Sequence, residues 1–322
     1  MRSVPIGVVI LNWNGHVDTI ACLESLARAD PGPARVVVVD NASTDDSVAA
    51  LTAWAAKSSM ARPTILRSER NRGFAGGNNL GLVLLAQDAG IRHFLLLNND
   101  TTVEPAFFAE VAAALERAPS TGLLGVTIYQ GAGYERVWYA GGRLPNARAV
   151  TIHGTLVPPA TSGATVPTEF VTGCAMLVSR RAWEALGPLP ECYFLYFEDG
   201  EYSLRAGAAG FPLAYAPRAV VHHACGATVR RVPRPRSEYW IARSRALFVR
   251  RNRRGLALWR TLAYLALARP ARAAVELLRG RPRLAWAGLR GTIDGLLAIE
   301  SQHDGRDPRA AQPGVDGVVV QE

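Results

Sequence analysis

Short apolar runs alternate with polar loops and helical patterns over the first hundred residues. The apolar runs are Ile6–Leu11, Arg35–Val39, Thr64–Arg67 and His93–Leu97, and each precedes a loop rich in Asn, Asp, Gly or Ser. Strands that alternate with helices predict an α/β fold with a mostly parallel sheet and helices on both faces. Ligands of such sheets bind beyond the carboxyl ends of the strands, so the four loops predict one polar rim.

The pattern changes further along the chain. Residues 120–170 contain many Gly and Pro residues and predict irregular β structure. After them the predicted elements are a strand at Phe170–Ser179, helices at Arg180–Leu186 and Glu198–Ala209, and strands at Leu213–Ala216 and Ala219–His222. A helical pattern then runs from Ser237 to Ala298, with breaks near Asn252–Gly255 and Gly280–Pro282. The last 20 residues are polar and predict a disordered tail.

The positive charge is concentrated in the C-terminal helical segment. The chain has a net charge of +9, and residues 230–290 alone contain 17 arginines and two acidic residues. Such a segment predicts an anionic partner. Stacking on nucleic-acid bases requires exposed aromatic residues among the basic ones, whereas Trp240, Trp259 and Trp286 lie in apolar helical patterns. We therefore expect an anionic membrane surface and no nucleic acid. Packing on the catalytic part or on a second subunit, as in a homo-oligomer, remains the alternative.

Several features predict a cytoplasmic protein. The four cysteines form no CxxC pair, which favours reduced thiols. The segment Met1–Trp13 lacks the pattern of a secretory leader. No window approaches the roughly 20 apolar residues of a membrane span. Together with the basic helices, this predicts a peripheral protein at the inner face of the plasma membrane.

Two acidic clusters, about a hundred residues apart, follow apolar runs. In LLLNNDTTVE, Asp100 follows a predicted buried strand among Asn and Thr side chains. Such oxygen ligands suit a divalent cation that bridges a diphosphate, and a helix cap is the alternative. In FLYFEDGEYSLR, Glu198 and Asp199 begin a helix and one of them suits a general base; a solvated helix start is the alternative. The aromatic residues around them would suit sugar stacking.

Two further loops carry groups that suit a nucleotide. Asp40 ends a strand of valines and offers an oxygen to a base N–H or a ribose hydroxyl, whereas a helix cap would need only Ser43 or Thr44. The segment Asn71–Asn79 is rich in glycine and leads into a helix, whose N-terminus favours phosphate. It has neither the GK[ST] of a Walker A loop nor GxGxxG, so a tight turn remains the alternative and a dinucleotide-dependent oxidoreductase is disfavoured.

His222 and His223 end the last predicted strand. Adjacent strand residues point to opposite faces, so at most one of them enters a given site. A neutral imidazole there would complete the ligand shell of a borderline ion such as Mn²⁺. A structural histidine is the alternative for either residue.

These motifs, in this order, resemble glycosyltransferase family 2, the inverting GT-A enzymes, and its rhamnosyltransferase-like branch in particular. The resemblance covers about residues 5–250. The motifs that carry it are VVILNWNG, VVVVDNASTDDS, NRGFAGGNNLG, LLLNNDTTVEP, FVTGCAMLVSRRAWEALG, FLYFEDGEYSLR and AVVHHACG. It implies a GT-A catalytic domain over residues 1–229, with a nucleotide-sugar half (1–110) and an acceptor and base half (111–229). A basic amphipathic helical extension (230–300) and the polar tail (301–322) follow.

The resemblance also implies roles for particular residues. Asp199 takes the place of the catalytic base, with Glu198 beside it. Asp100 would bind Mn²⁺ or Mg²⁺, and His223 is a better match than His222 to the family's metal-binding histidine. The expected nucleotide-sugar ligands are Asn12, Asp40, Asn41, Asn71, Gly76, Gly77, Asn78 and Asn99. Tyr239–Arg254 resembles the family's YYxxRN…R segment, from which Trp240 and Ser244 depart.

The implied activity is transfer of a sugar, rhamnose or a similar hexose, from a dTDP- or UDP-linked donor. The acceptor would be a glycan or a polyprenyl-linked glycan of the cell envelope. A single in-line displacement at the anomeric carbon would invert the configuration. A basic α/β protein that binds a membrane or nucleic acid without transferase activity remains the alternative function.

Overall fold

The computed structural model describes residues 3–58, 63–131, 133, 135–144, 150–224, 233–298 and 318–321. The first four strands form the parallel part of the sheet. They are β1 (Ser3–Asn12), β2 (Gly32–Asp40), β3 (Thr64–Ser68) and β4 (His93–Asn98), and the helices between them are α1 (His16–Arg28), α2 (Ser47–Lys57) and α3 (Gly73–Ala86). β1 pairs in parallel with β2 and β4, with Asn12 opposite Asp40 and Leu11 opposite Asn98. Three strands therefore end at one edge of the sheet.

The second half of the sheet is mixed. Its strands are β5 (Thr101–Val103), β6 (Leu123–Gln130), β7 (Arg136–Tyr139), β10 (Val166–Pro167), β11 (Ala175–Ser179) and β12 (Leu213–His223). Strands β8 (Gly142–Arg143) and β9 (Ile152–His153) form a separate antiparallel pair. Its helices are α4 (Phe107–Arg117), α5 (Arg180–Leu186) and α6 (Glu198–Ala208). β11 lies antiparallel between β4 and β6, and β12 runs parallel to β6. The described residues thus confirm the predicted α/β architecture, with antiparallel strands added to a parallel core.

Two strand predictions need correction. The strand predicted at Phe170–Ser179 begins only at Ala175, because the preceding residues turn out of the ladder and the amide of Gly173 donates to Asp199 instead. The two strands predicted between Leu213 and His222 form one continuous strand, β12. Its register shifts between Ala216 and Val220, around Pro217, which has no N–H to give to the ladder.

Alternate residues of the central strand serve two hydrophobic cores, one on each face of the sheet. Val8 and Ile10 of β1 belong to the core on the α1 and α4 face, whereas Val9 belongs to the core under α3. Helix α3 lies unusually close to the sheet. A methyl group at Gly77 would lie 2.4 Å from Leu11 Cδ1, and one at Gly81 would lie 2.5 Å from Val9 Cγ1. These glycines therefore set the depth at which α3 packs.

Three helices follow the sheet: α7 (Arg234–Asn252), α8 (Gly255–Leu278) and α9 (Pro282–Leu297). Their boundaries confirm the breaks predicted near residues 252–255 and 280–282. Helix α9 packs tightly on α7, because a methyl group at Gly291 or Gly295 would lie within 2.3 Å of a backbone carbonyl oxygen of α7. Among the helices that the structure describes, none is long and apolar enough to cross a membrane.

The chain end returns to the sheet. Strand β13 (Val318–Gln321) pairs antiparallel with β3 and covers its outer edge. The prediction of a disordered tail is therefore wrong for these four residues, where three consecutive β-branched valines suit an added edge strand. The rest of the predicted tail lies outside the described residues. The proposed boundaries between residues 1–229, 230–300 and 301–322 stay predictions.

Candidate active site

A cleft of about 970 Å³ lies at the carboxyl ends of β1 and β4, between the sheet edge, α6 and α7. Its position agrees with the predicted polar rim. Loop and strand residues at one side include Asn71, Asn99, Asp100 and His223. Glu198, Asp199 and Trp240 lie among those at the helical side. The structure thus brings both predicted acidic clusters to the same cleft.

Asn12 and Asp40 lie beneath the wall of this cleft and are fully buried. The Asn12 amide donates to Asp40 Oδ1 over 2.9 Å, and the backbone N–H of Ser43 donates to Asp40 Oδ2 over 3.1 Å. Thr19 Oγ1 donates to Asn12 Oδ1 and accepts from the Asn99 amide. The two side chains therefore hold three loops together. Their predicted contact with a nucleoside stays a prediction, since both are covered by protein here.

Asn41 and Asn71 organise the start of helix α3. The backbone N–H of Arg72 donates to Asn41 Oδ1, and that of Gly73 donates to Asn71 Oδ1. The N–H of Phe74 donates to the carbonyl of Phe194 over 2.8 Å. These amides already have protein acceptors, so the first turn of α3 does not present them to a phosphate. Asn41 and Asn71 themselves do line the cleft.

The remaining residues of the glycine-rich segment do not line the cleft. Gly76 and Gly77 lie inside α3, where Gly77 contacts Leu11 and a methyl group on Gly76 would meet Arg72 Cβ at 2.8 Å. The Asn78 amide donates to a carbonyl of its own helix. The interpretation of Gly76, Gly77 and Asn78 as a diphosphate-binding loop is therefore corrected. Close packing of α3 on Leu11 of the sheet explains Gly77, and the nearness of Arg72 and Glu191 explains Gly76.

Asp100 and His223 meet at the wall of the cleft. Strand β5 follows Asp100 directly and pairs with the end of β12, which places Thr101 opposite His223. His223 Nε2 lies 3.1 Å from Asp100 Oδ1, and both side chains are largely buried. His222 points away from the cleft, to Glu104 and the ring of Tyr129. Of the two histidines, His223 lines the cleft and His222 does not, and the role of His223 in binding a metal stays a prediction.

The donor set at this end of the cleft fits a divalent cation. Among the described residues, no group of three or more His, Cys, Asp or Glu side chains would hold a metal alone. A cation that bridges a diphosphate, however, needs only one or two protein carboxylates, because phosphate and water oxygens supply the other ligands. Asp100 meets that requirement, and His223 adds the imidazole that a borderline ion such as Mn²⁺ accepts.

Asp199 and Glu198 begin helix α6 at the opposite side. The two preceding residues, Tyr196 and Phe197, have φ of 70° and 73°, a left-handed conformation that is strained for large side chains. Helix α7 holds this turn, since Ser244 Oγ donates to the carbonyl of Leu195 over 2.8 Å. The strained turn aims both carboxyl groups into the cleft. Strain of this kind is common at functional sites.

The two carboxyl groups differ in their partners. Asp199 Oδ2 accepts from Gly173 N–H at 2.9 Å, and its Oδ1 accepts from Gly200 N–H at 2.8 Å. Burial raises the pKa of Asp199, and these backbone donors oppose the rise. Burial and the neighbouring Asp199 charge raise the pKa of Glu198 well above its usual range. Glu198 Oε2 is buried without a hydrogen-bond partner among the described residues.

Glu201 also lies in the first turn of α6, but its environment is the opposite of that of Glu198 and Asp199. It accepts from both Arg251 Nε at 2.9 Å and Arg251 Nη2, at 2.6 Å, and from the Tyr193 hydroxyl at 2.6 Å. Burial by itself would raise its pKa, but the hydrogen bonds and charge of Arg251 lower it. The pair joins α6 to α7 in the interior. Glu201 is therefore a structural residue, not an alternative base.

Aromatic side chains form walls that the sequence reasoning did not identify. Trp240 of α7 stacks on Phe194 with ring centroids 4.5 Å apart, and Arg243 lies over its outer face. Trp138 packs edge-on against the ring of His223 at 5.2 Å. Both tryptophans line the cleft. The sequence analysis placed Trp240 in an apolar helical pattern and noted it as a departure from a family motif, and Trp138 lies in the stretch that gave no regular pattern.

A GT-A fold with a carboxylate on each side of its cleft defines the class of protein. Residues 8–185 match the family model for glycosyl transferase family 2, which is more than half of the chain. The chain therefore belongs to glycosyltransferase family 2. The family and fold that the sequence motifs predicted are confirmed.

Comparisons with particular proteins agree with this assignment. An N-acetylglucosaminyl-diphospho-decaprenol L-rhamnosyltransferase of Mycobacterium tuberculosis is 27% identical over 248 residues, covering 70% of this chain and 78% of the relative. S. aureus TarS (1–349) in complex with UDP-GlcNAc superposes with a TM-score of 0.56 at 17% identity, covering 92% of this chain and 84% of TarS. PcManGT of Pyrobaculum calidifontis, a mannosyltransferase in complex with GDP-Man and Mn2+, superposes with a TM-score of 0.55 at 16% identity, covering 92% of this chain and 88% of PcManGT. These structural likenesses show the GT-A fold, and the relative supports the rhamnosyltransferase-like branch.

Proposed function

We propose that this glycosyltransferase moves rhamnose or a similar hexose from a dTDP- or UDP-linked donor to a polyprenyl-linked glycan, with inversion. The observation that carries the proposal is the pairing of two chemistries across one cleft. Asp100 and His223 line the cleft from the strand ends, and Glu198 and Asp199 line it from the start of α6. Aromatic walls between them suit a sugar ring. The named activity of the mycobacterial relative supports the lipid-linked acceptor and the place of the product in the cell envelope.

The donor diphosphate would lie at the Asp100 side. Asp100 and His223 would hold Mn²⁺ or Mg²⁺, which when bound neutralises the charge that grows on the leaving diphosphate. Asn71 and Asn99 also line the cleft. The anomeric carbon would then face the helical side, where the acceptor hydroxyl attacks. No protein nucleophile is needed, so a single displacement inverts the configuration.

Asp199 would take the proton from the acceptor hydroxyl. The amides of Gly173 and Gly200 fix its orientation, and its raised pKa makes it a stronger base than an ordinary aspartate. Glu198 is suited to a different task. Burial and the charge of Asp199 raise its pKa, which favours the protonated form, and its unpartnered oxygen would then donate a hydrogen bond to a substrate hydroxyl.

The expected location is the cytoplasmic face of the plasma membrane. A polyprenyl-linked acceptor has its lipid in the bilayer and its sugar at the surface, so the cleft must come close to that surface. The buried Cys22 is a free thiol, which agrees with a reducing compartment.

A transfer assay tests the proposed function. The full chain is incubated with Mn²⁺, N-acetylglucosaminyl-diphospho-polyprenol and, in separate reactions, dTDP-rhamnose or a set of UDP-hexoses. Mass spectrometry should detect one added deoxyhexose or hexose, and proton NMR of the product should give the anomeric configuration opposite to that of the donor. Retention of configuration would contradict the single displacement. Absence of transfer from every donor to this acceptor would contradict the proposed substrate class.

A further inference from the structure

Helix α8 directs polar side chains inward. Its buried positions include Arg269, Glu276 and Thr261. Arg269 donates to Glu238 of α7 over 3.1 Å, and Glu276 lies 3.5 Å from Arg279. In a helix that faces water, the charged residues occupy the outer face and the inner stripe is apolar. Leu265 and Ala273 share this inner face with the polar residues, and most of the large apolar residues of α8 lie on its outside.

The outer surface of α8 and α9 is correspondingly apolar. These two helices contain ten of the fifteen exposed large hydrophobic side chains among the described residues, so the exposure is concentrated there. Trp259 is 69% exposed, Leu267 77% and Leu278 89%, and Trp286, Ile293 and Leu297 of α9 are exposed as well. A concentration of this kind marks a surface that contacts another apolar phase.

The charges around this surface are positive. Arg260, Arg279, Arg281, Arg283 and Arg290 are exposed on or between the two helices. Their two acidic residues are withdrawn, with Glu276 buried and Asp294 half-buried. A second copy of the chain would bring two arginine-rich surfaces together, which is unfavourable. An anionic lipid surface offers the complementary charge together with an apolar interior.

The surface is also connected to the active-site cleft. Helix α9 packs on α7 through Gly291 and Gly295, which contact the carbonyl oxygens of Tyr239 and Arg243. Another face of α7 carries Arg236 and Trp240, which line the cleft. A single helix thus separates the exposed apolar surface from the acceptor side of the site.

We propose that the outer surface of α8 and α9 binds an anionic bilayer, with both helices lying in the plane of the interface. Their apolar side chains enter the headgroup and acyl boundary, and the arginines contact the lipid phosphates. The cleft then opens close to the bilayer surface, where a lipid-linked acceptor presents its sugar. The last step rests on the proposed function, whereas the binding of the bilayer does not.

The test compares Leu267→Glu with Leu156→Glu in the full chain. Leu156 is 87% exposed but lies in the catalytic part, so it is a matched control for adding one exposed carboxylate. Co-sedimentation is measured with vesicles of phosphatidylcholine containing 30% phosphatidylglycerol, and with phosphatidylcholine alone. We expect the partition coefficient of Leu267→Glu to fall about tenfold or more, the size expected when one large apolar side chain is withdrawn. Leu156→Glu should bind like the wild type, and high salt should weaken binding of both.

Two further measurements separate the alternatives. Tryptophan fluorescence should shift to shorter wavelength when anionic vesicles are added to the wild type, because Trp259 and Trp286 enter the interface. Sedimentation velocity without lipid reports the oligomeric state, and circular dichroism checks that each variant folds. Equal vesicle binding by wild type and Leu267→Glu would overturn the proposal. A wild-type dimer that becomes monomeric in Leu267→Glu, with no vesicle binding by either, would assign the surface to a second copy instead.

The proposed function is tested separately with a short water-soluble acceptor that carries the same sugar. Leu267→Glu should transfer to this acceptor at the wild-type rate and to the vesicle-bound acceptor at least tenfold more slowly. A wild type that binds vesicles but transfers to neither acceptor would overturn the proposed function and leave the membrane surface standing. A wild type that transfers to both acceptors without binding vesicles would overturn the proposed membrane surface and leave the proposed function standing.

Discussion

The first turn of helix α6 carries carboxyl groups in two opposite environments. Glu201 faces the interior and has Arg251 and Tyr193 as partners, which hold it in the ionised form. Glu198 and Asp199 face the cleft, and burial raises the pKa of both. The buried pair of Glu201 and Arg251 contributes to the stability of the folded protein. The cleft site has unsatisfied hydrogen-bonding capacity, which a substrate is suited to complete.

The difference shows that the kind of residue does not decide its role. All three acids lie in the segment FEDGEYSLR, and each belongs to the first turn of the same helix. The helix dipole favours all of their anions equally. What separates them is the face of the helix and the partner that α7 supplies on that face. Each prediction that follows changes one side of this comparison.

Arg251→Leu should produce the largest effect on stability. It leaves the Glu201 carboxylate buried without its cation, which costs about 3–5 kcal/mol of unfolding free energy. Urea denaturation measures the loss. The double variant Glu201→Leu with Arg251→Leu should recover most of it, because no buried charge then remains unpaired. A loss below about 1 kcal/mol in the single variant, the size of an exposed ion pair, would contradict the buried pairing.

Asp199→Asn should have the largest effect on activity. It removes the base but keeps the shape of the side chain, so kcat should fall by about 10²-fold or more while donor affinity stays nearly unchanged. Calorimetric titration of the nucleotide sugar and steady-state kinetics measure the two quantities separately. Glu201→Gln, corrected for the folded fraction, is the control and should turn over at close to the wild-type rate. Full activity of Asp199→Asn would move the base to Glu198.

Glu198→Gln should change the pH dependence of stability. The folded-state pKa of Glu198 lies above the ordinary value of 4.5, so the unfolded chain loses this proton first as pH rises. The stability contributed by neutral Glu198 is complete below pH 4.5 and declines as the pH rises towards the folded pKa. The glutamine variant avoids this decline, by about 1.4 kcal/mol for each unit by which the folded pKa is raised.

Denaturation of the wild type and Glu198→Gln at pH 4, 6 and 8 measures the effect. The variant should gain stability relative to the wild type at each step upward in pH. Glu116→Gln, at an exposed position of α4, is the control and should run parallel to the wild type. A constant difference between the wild type and Glu198→Gln would show that the folded and unfolded chains release this proton over the same pH range, so that the pKa of Glu198 is not raised on folding.

The smallest expected effect concerns the two adjacent histidines, one of which serves as a control for the other. His223→Ala should reduce the gain in nucleoside-diphosphate affinity that Mn²⁺ provides, by about tenfold for one lost ligand or its orienting partner. His222→Ala, whose side chain points to Glu104, should leave that gain unchanged. Asp100→Ala should abolish it. Equal enhancement by Mn²⁺ in the wild type and Asp100→Ala would mean that Asp100 does not bind the metal.

Much of the fold followed from local patterns. The runs at residues 6–11, 35–39, 64–67 and 93–97 became strands β1 to β4, and the breaks in the C-terminal helices fell where Gly and Pro interrupt the pattern. The prediction was weaker where contacts between distant segments decide the bounds of an element. Strand β11 was drawn five residues too long, because the sequence does not reveal that Gly173 turns away to serve Asp199. The packing of Trp138 on His223 and of Trp240 on Phe194 was missed because these contacts also join segments that are distant in sequence.

The sequence by itself determined the family, the parallel core and the candidate acids, because motif order and hydrophobic period are local properties of the chain. Only the tertiary structure decided the role of each polar residue. It buried Asn12 and Asp40 in a network, used Gly76 and Gly77 for packing, directed His223 inward and turned the apolar face of α8 outward. Burial and pairing set the free energy of a polar group, and both depend on segments that are distant in sequence.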